Sequence, residues 1–496
     1  MTQLRRSLAW SAAQSYLGVA LQLLSTMVLS RVLTPAEVGT FAVATVFAAL
    51  ASNFRDFGVA EYLIQAKELT HRQIRAAFAV NIGVSWAMAL ALALGAGLAG
   101  QFYREPGISE VMRIQALNFV LIPFGAINMA WYRREMNFKP MFMAGVLSDV
   151  IGLVVAITLA LRGHGALSLA WSSFAGVVVT WLVSVSFRPR DFPRWPGLAG
   201  IREVLHFGGF ASGIYLLGQL GRNAPELVIG RVQDVSAVAM FSRGGGLVQL
   251  FRQLVVRAIM PVCLPYFAQS VRDEGSVNRA YGRGVAIFTV IGWTFLGFLA
   301  LAAWPSIRVV YGDQWLEAVP LAQLLCLAAA FEIVHYLAKE ALLAHGQVKA
   351  ASRLQAELQG VQLVGLLGVL PWGLTGACVG LIAAQAIGLV LSQRALHQGT
   401  GYTLGELLAP CRASAPVALI ALAPMGALVL AWPATASNYL GQLAVGGLLT
   451  TAAWLLALQR TGHPLWAEIA RLIVPLRRRF GGRSADTPEP SDGAPH

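Results

Sequence analysis

Charge is scarce in this chain. Asp, Glu, Lys and Arg make up 12% of its 496 residues, about half of the roughly 25% found in soluble domains. That shortage excludes a soluble globular protein with an ordinary charged surface. Cysteine is scarce too. Cys263, Cys326, Cys378 and Cys411 stand isolated in or beside apolar runs, with no CxxC spacing. They read as small core residues, which excludes a disulfide framework and a cysteine-ligated metal. No Walker phosphate loop, HExxH, GxSxG or His/carboxylate cluster at metal spacing occurs, so ATP-driven and hydrolytic chemistry have no sequence support. Long outer loops are missing as well: none exceeds about fifteen residues. A membrane glycosyltransferase or polymerase would need its catalytic groups in a sizeable loop domain. The expectation is a protein that is not an enzyme and carries no cofactor.

What is present is apolar length. Hydrophobic residues make up 56% of the chain and the mean hydropathy is +0.62. A bilayer core of about 30 Å needs roughly 20 apolar residues per helix. Fourteen segments qualify: 7–30, 37–60, 76–99, 114–133, 141–161 and 167–187, then 207–230, 237–262, 284–304, 319–342, 355–371 and 375–393, and a last pair at 412–431 and 438–459. The first carries Gln14 and Gln22 and no clear cleavage site, so it reads as a retained helix and not a signal peptide.

With the N-terminus in the cytoplasm, cytoplasmic segments hold 25 of the 37 Lys and Arg residues, outer loops hold 6, and 6 lie inside helices. This asymmetry places both termini in the cytoplasm. It also accounts for the net charge of +13 without nucleic acid, because the basic loops face an anionic leaflet.

One helix junction is written twice. "VLSRVLTPAEVGTFAV" (28–43) returns as "VIGRVQDVSAVAMFSR" (228–243), with Val28, Arg31, Val32, Val38 and Phe41 matched at Val228, Arg231, Val232, Val238 and Phe241. Thr34-Pro35-Ala36-Glu37 is a capping box with proline at the first helical position. Asp234 is a good N-cap at the equivalent place. The alternative is convergence, since every junction needs a cap. An offset of 200 residues with six spans per copy favours a repeat. The expected organisation is an N-lobe (1–187), a cytoplasmic linker (188–206), a C-lobe (207–396), two further spans (397–459), and a tail (460–496) that is basic, then disordered. An even span count gives both lobes the same orientation, a transporter plan with cargo between them.

Ionisable residues inside spans cost at least about 2.5–3.5 kcal/mol each and so face a cavity or a partner. Arg55 and Arg252 fall on related helices at similar depth, and Arg222 lies too deep to reach water unaided. Arg243 and Arg257 lie near opposite ends of span 8, where either can snorkel. Guanidinium forks suit phosphate oxygens, so Arg55, Arg222, Arg252 and Arg257 are candidate ligands for a phosphate or pyrophosphate. The alternative is inter-helix ion pairing with Asp56, Glu226 or Asp149. Gln14, Gln22, Asn53 and Asn223 are candidate contacts for hydroxyl-rich cargo or ordinary interhelical hydrogen bonds. Pro225 beside Glu226 is a candidate hinge in span 7. Glu332, His335 and Lys339 share a helical face, as an ion pair or, for Glu332 and His335, a proton-coupling site.

The segment "LSRVLTPAEVGTFAVATVFAALASNFRDFGVAEYLIQ" (29–65) resembles the opening of the polysaccharide transporter family. This family of oligosaccharide flippases belongs to the superfamily that also holds the multidrug and toxin extrusion antiporters and the lipid II flippase. "ELTHRQIRAAFAVNIG", "GQFYREPGISEVMRIQALNF", "WYRREMNFKP" and "RGHGALSLAWSS" follow in family order, and "VIGRV" and "MFSRGGGL" resemble its second-half motif. The resemblance covers about 1–395 and is strongest to the branch of colanic-acid and exopolysaccharide exporters. It implies an all-α membrane fold, a V-shaped pair of six-helix bundles with cargo between spans 1, 2, 7 and 8. It implies a bacterial cytoplasmic-membrane flippase for undecaprenyl-pyrophosphate-linked oligosaccharides, alongside the polymerase and export machinery, with a coupling ion that is H+ or Na+. Two positions depart from the family pattern: Pro225 stands where an acid is usual and Phe241 where a tyrosine is usual. The competing readings are a cation-coupled small-molecule exporter and a non-transporting part of a glycan-assembly complex.

Overall fold

A computed structural model describes residues 2–55, 59–65, 70–189, 192–193, 195–202, 204 and 223–471. Among them there is no strand, and the chain is a succession of helices. The first set comprises α1 (Thr2–Val32), α2 (Pro35–Arg55), the short α3 (Val59–Gln65), α4 (His71–Tyr103), α5 (Pro106–Arg134), α6 (Phe138–Leu161) and α7 (Ala166–Ser186). The second begins with α8 (223–232) and α9 (Val235–Phe251). It continues through α10 (Arg257–Glu274), α11 (Asn278–Leu301), α12 (Ala303–Val310), α13 (Val319–His335), α14 (Ala338–Ala344), α15 (Val348–Val369) and α16 (Gly373–Thr400). Two more helices follow, α17 (Leu404–Ala431) and α18 (Tyr439–Thr461).

Among the described residues, eleven helical segments are long and apolar enough to cross a membrane, one of them (Val348–Thr400) containing two of the expected spans. The first expected span is present as the apolar part of α1, Tyr16–Val32. Most of the seventh lies outside the described residues.

The duplicated junction folds as its caps dictate. Thr34 N–H donates to Glu37 Oε2 at 2.8 Å while Glu37 N–H donates to Thr34 Oγ1 at 3.4 Å. At the second copy, Ala237 N–H donates to Asp234 Oδ1 at 2.7 Å. The box at Thr34 and the single cap at Asp234 each satisfy donors that the start of a helix leaves open. Both junctions end one helix and start the next at offsets of 200: α1 stops at Val32 and α8 at 232, α2 starts at Pro35 and α9 at Val235.

Packing is concentrated within each set: α4 on α5, α6 on α7 and α1 on α6 in the first; α11, α13, α15, α16 and α17 on one another in the second. The two sets meet chiefly where α2 packs on α9, so the two copies of the repeated junction are each other's partners. Glycine permits that approach. A Cβ on Gly39 would overlap the Val235 carbonyl oxygen. Close backbone contact of this kind holds membrane helices together where lipid provides no hydrophobic drive between them.

Two of the expected spans are interrupted. Span 10 divides into α13 and α14 around Tyr336 and Leu337. Span 8 contains a π-turn from Arg252 to Val256, closed by Arg257 N–H on the Arg252 carbonyl. A π-turn inside a membrane helix re-aims the side chains on either side of it.

Candidate functional site

Three cavities among the described helices bear on the candidate residues. One, about 850 Å³, is an open chamber lined by α1, α5, α6 and α7, with Arg257 of α10 also on its wall. Gln14 and Gln22 of α1 line it, as do Ser25, Thr26, Ser148, Asp149, Ser172, Ser173 and Thr180. Its wall is built by a reciprocal pair: Ser148 Oγ donates to the Gly176 carbonyl at 3.0 Å and Ser172 Oγ to the Gly152 carbonyl at 2.8 Å. Each hydroxyl keeps acceptor capacity for a guest. Gln253 Nε2 reaches Gln22 Oε1 at 3.4 Å from the other set of helices. The result is a chamber of hydroxyls and amides with one guanidinium and one carboxylate.

A second cavity, about 610 Å³, lies wholly in the second set, between α9, α13, α14, α15 and α16. Arg252 and Glu332 meet in it, Arg252 Nη2 donating to Glu332 Oε2 at 2.7 Å. His335 and Pro225 also line it. A third, about 370 Å³, lies between α2 and α9 and holds Asn223, Glu226 and Arg243.

The four candidate arginines therefore separate. Arg252 and Arg257, five residues apart across the π-turn, line different cavities. Arg55, the last residue of α2, stands 5.9 Å from the Phe119 ring centroid and is not among the residues lining these three cavities. Arg222 and Asp56 lie outside the described residues, as does the side chain of Asn53. Pro225 is the third residue of α8, and the residues of span 7 before 223 are not described.

Several expected pairings change. Arg252 takes Glu332 as its partner. Lys339 lies beyond the break after His335, on α14, yet lines the same cavity as Glu332 and His335 and pairs there with Glu340 at 3.5 Å. Arg243 does not snorkel. Its guanidinium sits 5.1 Å from the Tyr311 ring and 5.0 Å from the Trp315 ring, a cation–π arrangement that stabilises a charge away from water.

Two groups of residues escaped the reading by composition. Gln355, Gln359 and Gln362 of α15 all face the second cavity. Their spacing of four and three puts them on one helical face, and a stripe of amides in an apolar helix was the available signal. Gln314 and Trp315, in the short helical turn Asp313–Ala318, both donate to the Ser30 carbonyl at the end of α1, Trp315 Nε1 at 2.8 Å. No sequence pattern marks that contact.

Similarity to known proteins follows the same lines. The lipopolysaccharide biosynthesis protein WzxC of Escherichia coli K12 is 23% identical over 402 residues, 77% of this chain and 78% of the relative. The succinoglycan biosynthesis transport protein ExoT of Rhizobium meliloti is 26% identical over 329 residues, 65% of each chain. Among solved structures, the lipid II flippase MurJ in an inward closed conformation superposes with a TM-score of 0.71 at 11% identity, covering 91% of this chain and 99% of that one. An inward-facing multidrug resistance MATE transporter of the MOP superfamily gives 0.59 at 17% identity, covering 77% of this chain and 95% of that one. The all-helical membrane fold expected from sequence is thus the one observed. Residues 28–320 match the family described as polysaccharide biosynthesis protein, and this multi-pass membrane chain belongs to that family.

Proposed function

We propose that the chain is a flippase that carries undecaprenyl-pyrophosphate-linked oligosaccharide repeat units across the bacterial cytoplasmic membrane, by alternating access, for exopolysaccharide or lipopolysaccharide biosynthesis. The observation that carries this reading is Arg257, a cation from the second set of helices, facing a chamber of hydroxyls and amides built by the first. A guanidinium offers a phosphate paired, charge-assisted hydrogen bonds, while serine, threonine and glutamine side chains exchange hydrogen bonds with sugar hydroxyls. Arg257 would hold the pyrophosphate, with Arg55 and Arg222 as further cationic contacts along the path. Gln14 and Gln22, with Asn53 and Asn223, would meet the sugars, and the polyprenyl tail would stay in lipid.

With both termini in the cytoplasm, the end that holds Thr34 faces outward. The contacts of α2 with α9 and of α1 with Trp315 then close the outer side, and the chamber loads from the inside. Movement of α8 near Pro225 and Glu226 would reopen that side. Glu332 and His335 would take the coupling proton, if the coupling ion is H+ and not Na+.

The test is lipid mass spectrometry with leaflet-sidedness probing in a host lacking this chain and keeping its polymerase. Accumulation of a cytoplasm-facing lipid-linked oligosaccharide, together with loss of surface polymer, is the expected result. Complementation by Arg257→Ala should leave the intermediate accumulated. Unchanged polymer and lipid intermediates would overturn the reading in favour of export of another solute.

A further inference from the structure

The second cavity has a use that the path of the pyrophosphate does not supply. Its charges are already matched: Arg252 with Glu332 at 2.7 Å and Lys339 with Glu340 at 3.5 Å. A phosphate entering would have to displace a carboxylate from its cation, so the cavity is a poor anion site. What remains unmatched is neutral hydrogen-bonding capacity. Gln355, Gln359 and Gln362 project from one face of α15, and Gln249 and Gln385 face them from α9 and α16.

Amides in a membrane helix are costly unless something satisfies them. Here three polar atoms on the cavity wall are buried without a hydrogen-bond partner: Gln359 Oε1, His335 Nε2 and Glu340 Oε2. His335 is 5% exposed and Glu340 9%. Phe241 and Tyr336 add aromatic surface to the same walls. The volume, about 610 Å³, falls within the roughly 300–1,000 Å³ of small-molecule sites. The position of the amide face is held by the α15–α16 pair, in which a Cβ on Gly380 would overlap the Gly365 carbonyl.

We infer that this cavity is a saccharide subsite, one that takes an uncharged sugar of the cargo distal to the pyrophosphate. Amides and charge-paired carboxylates present both donors and acceptors, which is what vicinal sugar hydroxyls require. An apolar guest would leave Gln359 Oε1, His335 Nε2 and Glu340 Oε2 without partners. The inference rests on the flippase reading and deepens it. The subsite would let the protein discriminate a complete repeat unit from a truncated one.

The test uses the full chain in phosphatidylethanolamine–phosphatidylglycerol proteoliposomes with two lipids. One is the lipid-linked repeat unit extracted from a host lacking this chain; the other is the same lipid trimmed to its first sugar. Gln359→Leu/Gln362→Leu keeps side-chain size and removes the amides. The expected result is translocation of the trimmed lipid at the wild-type rate and of the complete unit about tenfold slower. Equal, wild-type rates for both lipids would overturn the subsite. So would equal loss of both with an unchanged melting temperature, since the role would then be general. Gln362→Ala, at a half-buried position, is read the same way should the double variant fail to fold. Wild-type protein that moves neither lipid would instead overturn the flippase reading itself, a result distinct from either variant outcome.

Discussion

Arg31 and Arg231, equivalent residues of the duplicated junction, each reach to the opposite set of helices. Arg31 Nη2 donates to the Val309 carbonyl of α12 at 2.7 Å, and the Arg231 guanidinium stands 4.9 Å from the Phe102 ring of α4. Arg31 thereby caps the end of α12, where carbonyls lack intrahelical partners and a cation is favoured. In return, Gln314 and Trp315 cap the end of α1. The junction that the chain writes twice is a clamp between its own two copies.

Gly39 sets how closely that clamp can shut. Gly39→Val places side-chain atoms where the Val235 carbonyl lies, so α2 and α9 cannot meet as they do here. Spin labels at positions 36 and 233 are expected to report a longer, broader distance in this variant than in the parent. An unchanged distance distribution would show that the helices slide without separating.

Trp315→Phe removes one donor to the Ser30 carbonyl from a fully buried site. A hydrogen bond of this kind contributes about 1 kcal/mol, so the ratio of closed to open protein should fall about fivefold. The measurement is labelling of Thr45→Cys by a membrane-impermeant thiol reagent added outside, which should quicken by a similar factor.

The Arg252–Glu332 pair separates stability from transport. Arg252→Gln leaves the Glu332 carboxylate, 18% exposed, without its cation, and Glu332→Gln leaves the arginine. Each single variant is expected to melt lower, by about 1–3 kcal/mol of stability after allowance for the half-exposed arginine. The double variant should recover most of the loss. Transport that stays absent in a well-folded double variant would assign the pair a part in transport beyond stability. Transport restored with stability would reduce the pair to scaffolding.

His463 links the end of α18 to the rest of the second set. Its Nδ1 accepts from Leu465 N–H at 3.2 Å, which leaves Nε2–H to donate to Ser414 Oγ at 3.2 Å. Ser414 in turn donates to the Ala286 carbonyl at 3.0 Å. Burial pushes the imidazole pKa below its ordinary 6.5. The unfolded chain therefore binds this proton more readily than the folded one. Stability from this site is complete above about pH 6.5 and is lost as pH falls from there to the depressed folded value. Melting temperature should drop between pH 7 and 5.5 in the parent and drop less in His463→Gln.

Sequence reading reached the fold because lipid leaves few alternatives. Twenty apolar residues must form a helix, and Thr34, Glu37 and Asp234 mark where helices start by chemistry that is local to four residues. It named some of the residues that the structure gathers in one chamber. Gln14, Gln22 and Arg257 meet in one chamber, while Arg252 turns to Glu332. That choice depends on the π-turn at 252–256 and on a carboxylate eighty residues away, and neither is local. The glutamine stripe of α15 was visible as spacing, yet its direction became plain only when α16 and α13 were packed around it.

The sequence by itself determined that this protein is a multi-pass helical membrane protein and that one helix junction is duplicated. These follow from the cost of charge and open backbone in hydrocarbon, which is paid residue by residue. Only the tertiary structure decided which polar residues share a cavity and which cation keeps a carboxylate. It also decided that the two copies of the junction face each other. Those outcomes depend on distances between helices far apart in the chain, and no short-range rule of capping, spacing or hydropathy contains them.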